Sequence, residues 1–327
     1  MRNAIVVLLA AALLAGCAGS PPQTAPASVR TAERYLRNGV QAFHDSDYAG
    51  AAALFGKAHG LYRSLDHGEG MTLAAINLAE TALLMGSYAR ADAQIRAADA
   101  MVEARGLQAR FGARLALLEA TAAYGLDEKE RALARLAPLL PAFAADHRPT
   151  SPVQGDVGVA AVVLRTRMAF DAGEGASNWM YRLENVVRKD APDDAMLRAR
   201  LWRFQGLLAQ RAGDNALARE RFEAALALYR QHANRPGTAA VLYEFGQLAL
   251  AMQQWGEAQD YLERALYIHT WILDRPGAVL SLQALAEVHQ ATGAEGQARV
   301  AAHWTDALRG NGAVNWPELR DQVIPAP

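Results

Sequence analysis

The chain has 327 residues, of which 52% are apolar and 20% charged, and 33 Lys and Arg against 34 Asp and Glu leave a net charge of −1. This balance offers no basic surface for nucleic acid and no polyanionic tail. Because a single hydrophobic core rarely grows beyond about 250–300 residues, the length indicates either two domains or an elongated repeat architecture.

The first residues have the pattern of a targeting signal. Arg2 precedes an apolar run from Ala4 to Ala15, which is too short to span a bilayer but fits the core of a signal peptide. The last two residues of this run and the two that follow it, Leu14-Ala15-Gly16-Cys17, resemble the lipobox of bacterial lipoproteins. The resemblance implies that residues 1–16 are a cleaved lipoprotein signal peptide and that Cys17 carries a diacylglycerol and an acyl chain such as palmitate. An ordinary secretory signal with an incidental cysteine is the alternative.

The residues after Cys17 are expected to form a tether. Ala18 stands where an aspartate would favour the inner membrane, so the lipoprotein resemblance implies attachment to the outer membrane, facing the periplasm. Residues 18–28 hold three prolines and no large apolar side chain. Such a stretch cannot bury enough surface to offset its ordering entropy, and we therefore predict a flexible tether over residues 17–29.

From Arg30 onward, apolar residues recur every three or four positions, which predicts helices throughout. The pattern also repeats with a period of about forty, because Tyr48 and Tyr88 begin equivalent segments, as do Asn215 and Trp255. Nine positions before these residues stands a small residue, where we expect two helices to cross closely. These small residues are Gly39, Ala79, Gly206 and Gly246.

This pattern resembles the tetratricopeptide repeat (TPR), a helix-turn-helix unit. Its succession of bulky, small, small, aromatic and small positions is met by Tyr35, Gly39, Ala51, Phe55 and Ala58, and again by Trp202, Gly206, Ala218, Phe222 and Ala225. The resemblance implies an all-α fold in which about seven helix pairs stack in a right-handed superhelical solenoid.

Breaks in the repeat give the expected boundaries. Pro138 should kink or shorten the second helix of the third repeat, and the polar stretch with Pro149 and Pro152 should form a joint. We therefore predict an N-terminal TPR block at 30–145, a joint at 146–156, a C-terminal TPR block at 157–309 and a cap or tail at 310–327. Asp47, Ser87 and Asp214 are the predicted helix N-caps.

No residue pattern in the chain indicates catalysis. The eight histidines show no His-Glu-x-x-His spacing, and the sequence contains neither a Gly-x-Ser-x-Gly elbow nor a glycine-rich phosphate loop. The only cysteine is the predicted lipidation site. We therefore expect no enzyme, no metal and no cofactor other than the covalent lipid, although an unrecognised site in the divergent region 146–190 is a minor alternative.

The TPR resemblance implies that the first helix of each repeat lines a groove for a protein or peptide partner. Asn77 is the sharpest candidate, because an amide both donates and accepts hydrogen bonds and so suits a peptide backbone. A solvated polar residue on an exposed helix is the competing interpretation. The full set of candidate groove residues is Arg37, His44, Asn77, Glu80, Arg203, Gln210, Tyr243, Glu244, Gln247, Gln283 and Glu287.

Two functions are consistent with the sequence. The first is a lipid-anchored scaffold at the periplasmic face of the outer membrane, which recruits a protein to a pilus, secretion, cell-wall or polysaccharide assembly. The second is a periplasmic protein that binds a glycan, peptide or small ligand in its groove, with Tyr243 and Trp202 as aromatic platforms. The sequence leaves the partner open, and also whether the chain's own tail fills the groove.

Overall fold

The computed structural model describes residues 26–153, 155–173, 175–190, 192–310 and 312–324. These residues form fifteen α-helices, one short 3₁₀ helix and no strand beyond an isolated bridge between Phe143 and Pro149. The predicted all-α solenoid is confirmed. The predicted signal peptide and Cys17 lie outside the described residues, as does most of the predicted tether.

In chain order the helices are α1 (Ala27–His44), α2 (Tyr48–Ser64), α3 (Gly68–Leu84), α4 (Tyr88–Ala104), α5 (Gln108–Gly125), α6 (Lys129–Leu136), α7 (Gly155–Ala172), α8 (Ala176–Asp190), α9 (Ala195–Arg211), α10 (Asn215–Gln231), α11 (Arg235–Ala251), α12 (Trp255–Trp271), α13 (Arg275–Ala291), α14 (Glu295–Arg309) and α15 (Trp316–Val323). The first fourteen form seven pairs, and α15 follows the last pair.

A uniform three-residue turn explains the repeat length. Between α1 and α6, and again between α9 and α14, each pair of successive helices is joined by three residues, the middle one with positive φ. The third residue donates its N–H to a carbonyl five positions back, as Asp47 does to Ala42 at 2.8 Å, which closes the preceding helix. Many helices have 17 residues, so two helices and two turns give the forty-residue period.

The small residues occupy the predicted helix crossings. A Cβ atom built on Gly206 would stand 2.5 Å from Cε1 of Phe222, and one on Gly39 would stand 2.6 Å from Cδ1 of Phe55. Real atoms do not approach so closely, so a side chain would force the two helices of a pair apart. The glycines therefore set the distance between the helices of these pairs.

Some local expectations need correction. Asp47 and Asp214 accept the predicted capping bonds from Gly50 and Leu217, but the Ser87 side chain makes no capping hydrogen bond, so that prediction was wrong. The first helix begins at Ala27, which is earlier than the predicted end of the tether at residue 29.

The third repeat is shortened as expected. Its second helix, α6, ends at Leu136 and passes into a 3₁₀ helix, Ala137–Leu139, that contains Pro138. An irregular segment with the bridge between Phe143 and Pro149 then leads to α7, whose first residue is Gly155. The predicted joint at 146–156 thus overlaps the first two residues of α7.

The described part of the tail packs on the last repeats. Leu319 of α15 is buried, and Trp304 Nε1 of α14 donates to Gln322 Oε1 at 2.9 Å. The guanidinium of Arg320 lies 4.9 Å from the ring centre of Trp271 on α12. Arg275 also donates to the Gly312 carbonyl oxygen at 2.9 Å. Up to residue 324, the tail therefore caps α12 and α14.

Among the described helices, none combines the length and apolar character needed to cross a bilayer.

Candidate functional site

The first helices of six successive pairs surround a cavity of about 840 Å³, which we call the lumen. Its walls come from α1, α3, α5, α7, α9 and α11, together with the start of α2, the end of α10 and the α1–α2 and α10–α11 turns. In each of these six pairs, the first helix thus faces the lumen. The described tail contributes no lining residue, since none lies beyond Ala240.

One side of the lumen is apolar. Three neighbouring inner helices each contribute an adjacent pair of aliphatic residues, and Phe43, Met196 and Phe204 add to this surface. The aliphatic pairs are Leu83 and Leu84 on α3, Leu117 and Leu118 on α5, and Val163 and Leu164 on α7. Leu84 remains 39% exposed and is accessible from the cavity, whereas Leu83 and Leu118 are largely buried in the core behind it.

Three arginines line the lumen beside the apolar surface. Arg167 Nε lies 2.7 Å from Asp171 Oδ2, and Arg203 Nη2 lies 2.7 Å from Glu244 Oε1. The side chain of Arg200 makes no ion pair or hydrogen bond with any residue that the structure describes. Arg200 is therefore the arginine of this group whose charge is not already paired.

The environment of Tyr229 reflects the positive charges of Arg200 and Arg203. Burial raises the pKa of the Tyr229 hydroxyl, whereas the nearby Arg203 and Arg200 act to lower that pKa. Tyr229 and His232 also line the lumen, as does Asn234, which caps α11 by accepting a hydrogen bond from Gly237 at 2.7 Å. The lining of the lumen near Tyr229 thus combines polar groups with positive charge.

The solenoid closes on itself around the lumen. Arg235 at the start of α11 donates to the backbone carbonyl oxygen of Asp45 in the α1–α2 turn. Pro276 at the start of α13 lies directly against Gly86 in the α3–α4 turn, leaving no space for a side chain there. We call these four residues the ring contact. It joins the first and second helix pairs to the sixth and seventh.

The candidate groove residues fall into separate places. His44, Glu80 and Arg203 line the lumen, whereas Arg37, Gln283 and Glu287 are exposed and do not line it. The remaining members of the set are engaged in contacts or half-buried outside the lining: Asn77, Gln210, Tyr243, Glu244 and Gln247. Within this last group, Gln247 Nε2 donates to the Tyr243 hydroxyl at 2.9 Å.

Arginines join neighbouring repeats along the inner helices. Arg114 on α5 donates to Asn77 Oδ1 at 2.9 Å and also to Glu80, both on α3. Arg203 on α9 pairs in the same way with Glu244 on α11. Both arginines thus bind the helix one repeat away. Much of the polar pattern that the sequence suggested for partner binding is therefore used to hold repeats together.

Sequence reasoning missed the residues that give the lumen its character. Arg167 and Arg200 were not among the candidates, nor was the role of Arg235 in closing the ring. The recurrence of Arg-Pro-Gly at 235–237 and 275–277 was a usable signal. It did not reveal that Arg235 reaches the first repeat while Arg275 binds the C-terminal segment.

No group of three or more His, Cys, Asp or Glu side chains in the described residues is arranged to hold a metal ion.

The paired helices, the three-residue turns and the close glycine crossings define an all-α helical-repeat solenoid. The family model for the tetratricopeptide repeat matches residues 197–270, which span α9 to α12. Repeats of this type generally bind protein partners as scaffolds. A comparison with curated proteins gave no match.

Proposed function

We propose that the protein is a lipid-anchored scaffold that binds a segment of a partner protein in the lumen. The observation that carries this proposal is the cavity of about 840 Å³ lined by six inner helices. Its side chains mix aliphatic, polar and cationic groups, which suits recognition of an amphipathic segment. Envelope assembly is the proposed setting, because the chain begins with a lipoprotein-like signal.

Anchoring through Cys17 at the periplasmic face of the outer membrane is part of the proposal. The tether would enter the folded body at Ala27, the first residue of α1, whereas the lumen residues Phe43 and His44 lie at the other end of that helix. At about 1.5 Å per residue, an 18-residue helix separates these two ends by about 27 Å. The lumen would therefore stand away from the tether's point of entry.

Site-specific photocrosslinking in the native cell tests partner binding. A photoreactive residue replaces Leu84, which lines the lumen and is 39% exposed. The matched control is Leu217, which is 37% exposed on the second helix α10 and does not line the lumen. We expect a defined crosslinked protein from position 84 alone. The same crosslinks from both positions, or none from position 84, would contradict the proposal.

The Cys17→Ser variant tests the anchor. We expect it to move from the membrane fraction to the soluble periplasmic fraction, because the thiol that accepts the lipid is gone. A variant with Ala18→Asp keeps the thiol and should remain membrane-bound, shifting toward the inner membrane if the sorting expectation is correct. Unchanged membrane association of Cys17→Ser would show that the lipid is not the main attachment.

A second candidate is binding of a small ligand in the lumen. The cavity volume falls within the range of about 300–1,000 Å³ that is usual for small-molecule sites, and the ring contact closes the solenoid around it. Tyr243 and Trp202 do not line the lumen, so the proposed aromatic platform for a glycan has no support at this cavity. The cavity favours a ligand with a large apolar part.

A further inference from the structure

We propose that the lumen binds a small amphiphilic anion, a single apolar chain of acyl type that ends in a carboxylate. This inference deepens the second candidate function and rests on it. The proposed occupant is a free amphiphile, because the cavity volume of about 840 Å³ lies within the range that is usual for small-molecule sites.

The apolar part of the ligand has a matching surface. The aliphatic pairs on α3, α5 and α7 line the lumen from three successive inner helices, and we call this lining the apolar strip. Phe43 on α1 and Met196 on α9 extend this strip at its two sides. Removing an alkyl chain from water against such a strip is favourable roughly in proportion to the apolar area buried.

The charge of the ligand follows from the ion pairs around the lumen. Glu80 is paired with Arg114, Arg203 with Glu244, and Arg167 with Asp171, so these groups largely neutralise one another. Among the residues that the structure describes, none pairs with the positive charge of Arg200. A carboxylate is the natural partner of a guanidinium, since the two can form parallel charge-assisted hydrogen bonds.

Arg200 also borders a second, smaller cavity of about 360 Å³. Three aspartates line that cavity, but none forms an ion pair with Arg200: Asp156, Asp190 and Asp194. These carboxylates would repel an anion, whereas the larger lumen offers apolar walls and two further arginines. The head group of the ligand is therefore expected on the lumen side of Arg200.

Calorimetric titration of the full mature chain tests the proposal with three defined probes, each below its critical micelle concentration. Dodecanoate carries the chain and the carboxylate, dodecyltrimethylammonium carries the same chain with a positive head, and butanoate carries the head with a short chain. We expect saturable one-to-one binding of dodecanoate and much weaker binding of the other two. Equal binding of the two twelve-carbon probes, or dodecanoate uptake without fixed stoichiometry, would overturn the proposal.

Variants on one helix provide the matched control. Arg200→Glu should weaken dodecanoate binding at least about tenfold, because it replaces attraction by repulsion at the head group. Arg198→Glu makes the same charge change on α9 at an exposed position outside the lining and should leave binding unchanged. Equal effects of the two variants would refute a specific role for Arg200. Arg200→Gln, which removes the charge but keeps a polar side chain, should give an intermediate loss.

The outcome is separable from that of the scaffold proposal. Photocrosslinking from position 84 reports a protein partner whether or not dodecanoate binds. A protein crosslinked there, together with no dodecanoate binding, would refute the amphiphile and retain the scaffold. Dodecanoate binding that depends on Arg200, with no crosslinked protein, would support the amphiphile and refute the scaffold.

Discussion

Arg114 Nη2 donates a hydrogen bond of 2.9 Å to Asn77 Oδ1 across two neighbouring repeats. Asn77 is only 8% exposed, and Arg114 also pairs with Glu80 on the same helix. The amide that the sequence suggested for holding a bound peptide is therefore already bonded within the protein. We therefore expect the hydrogen bond between Asn77 and Arg114 to stabilise the stacking of α3 against α5.

Replacing Arg114 by alanine should loosen that stacking. Asn77 and Glu80 would each lose a hydrogen-bond partner, and we expect a loss of about 1 kcal/mol in the free energy of unfolding, since the ion pair is partly exposed to solvent. Urea unfolding followed by circular dichroism measures this change. The control Arg90→Ala lies at an exposed position on α4 and should be neutral. An unchanged midpoint for Arg114→Ala would show that the contact does not stabilise the fold.

Arg203 and Glu244 form a more deeply buried pair, with side chains only 17% and 10% exposed. Removing one partner leaves the other charge buried and unpaired, so Arg203→Met and Glu244→Leu should each cost about 3 kcal/mol. The double variant should recover much of that loss, because no unpaired charge remains. A double-mutant cycle from denaturant unfolding checks this expectation. Strictly additive losses would mean that the two side chains are not energetically coupled.

Replacing a glycine at a helix crossing even by alanine should lower the stability of the fold. Gly206→Ala places a methyl group against Phe222 and is expected to destabilise the protein by about 1–3 kcal/mol. Gly56 lies in the interior of α2 with open space around it, so Gly56→Ala should instead stabilise by about 0.5–1 kcal/mol through helix propensity. Thermal unfolding compares the two. A shift in the same direction for both would contradict the packing argument.

The ring contact should control the overall shape. Arg235→Ala removes the bond to the Asp45 carbonyl, and we expect a larger radius of gyration by small-angle X-ray scattering. Arg275→Ala alters the same Arg-Pro-Gly motif, but Arg275 binds carbonyl groups of the C-terminal segment. That control should loosen the tail and leave the ring closed. Identical scattering from Arg235→Ala and the parent chain would show that other contacts suffice to close the ring.

Acid should weaken the fold near α13. Burial lowers the pKa of His289, which is 4% exposed, so the unfolded chain takes up a proton at a higher pH than the folded chain does. Stability should therefore fall as pH drops through the ordinary histidine pKa of about 6.5. His289→Gln should reduce the difference in urea midpoint between neutral and mildly acidic buffer. The exposed His303→Gln should not, and an equal effect of both would contradict the burial argument.

The regular repeat was predictable because its signals are local. The forty-residue period, the early end of α6 before Pro138 and the capping by Asp47 and Asp214 follow from residues within one or two helices. The sequence contained no local signal for the positive φ of non-glycine turn residues such as Leu273 and Gln253. There the chain adopts the left-handed conformation because the uniform turn requires it.

By itself the sequence determined the helical-repeat architecture, since helix periodicity, caps and small crossing residues act over a few turns. Only the tertiary structure decided that the solenoid closes, that aliphatic side chains line part of the lumen, and that Arg203 pairs with Glu244 whereas no described residue pairs with Arg200. The physical reason is that closure sums small rotations over many repeats. It brings together residues such as Asp45 and Arg235, whose proximity no local pattern encodes.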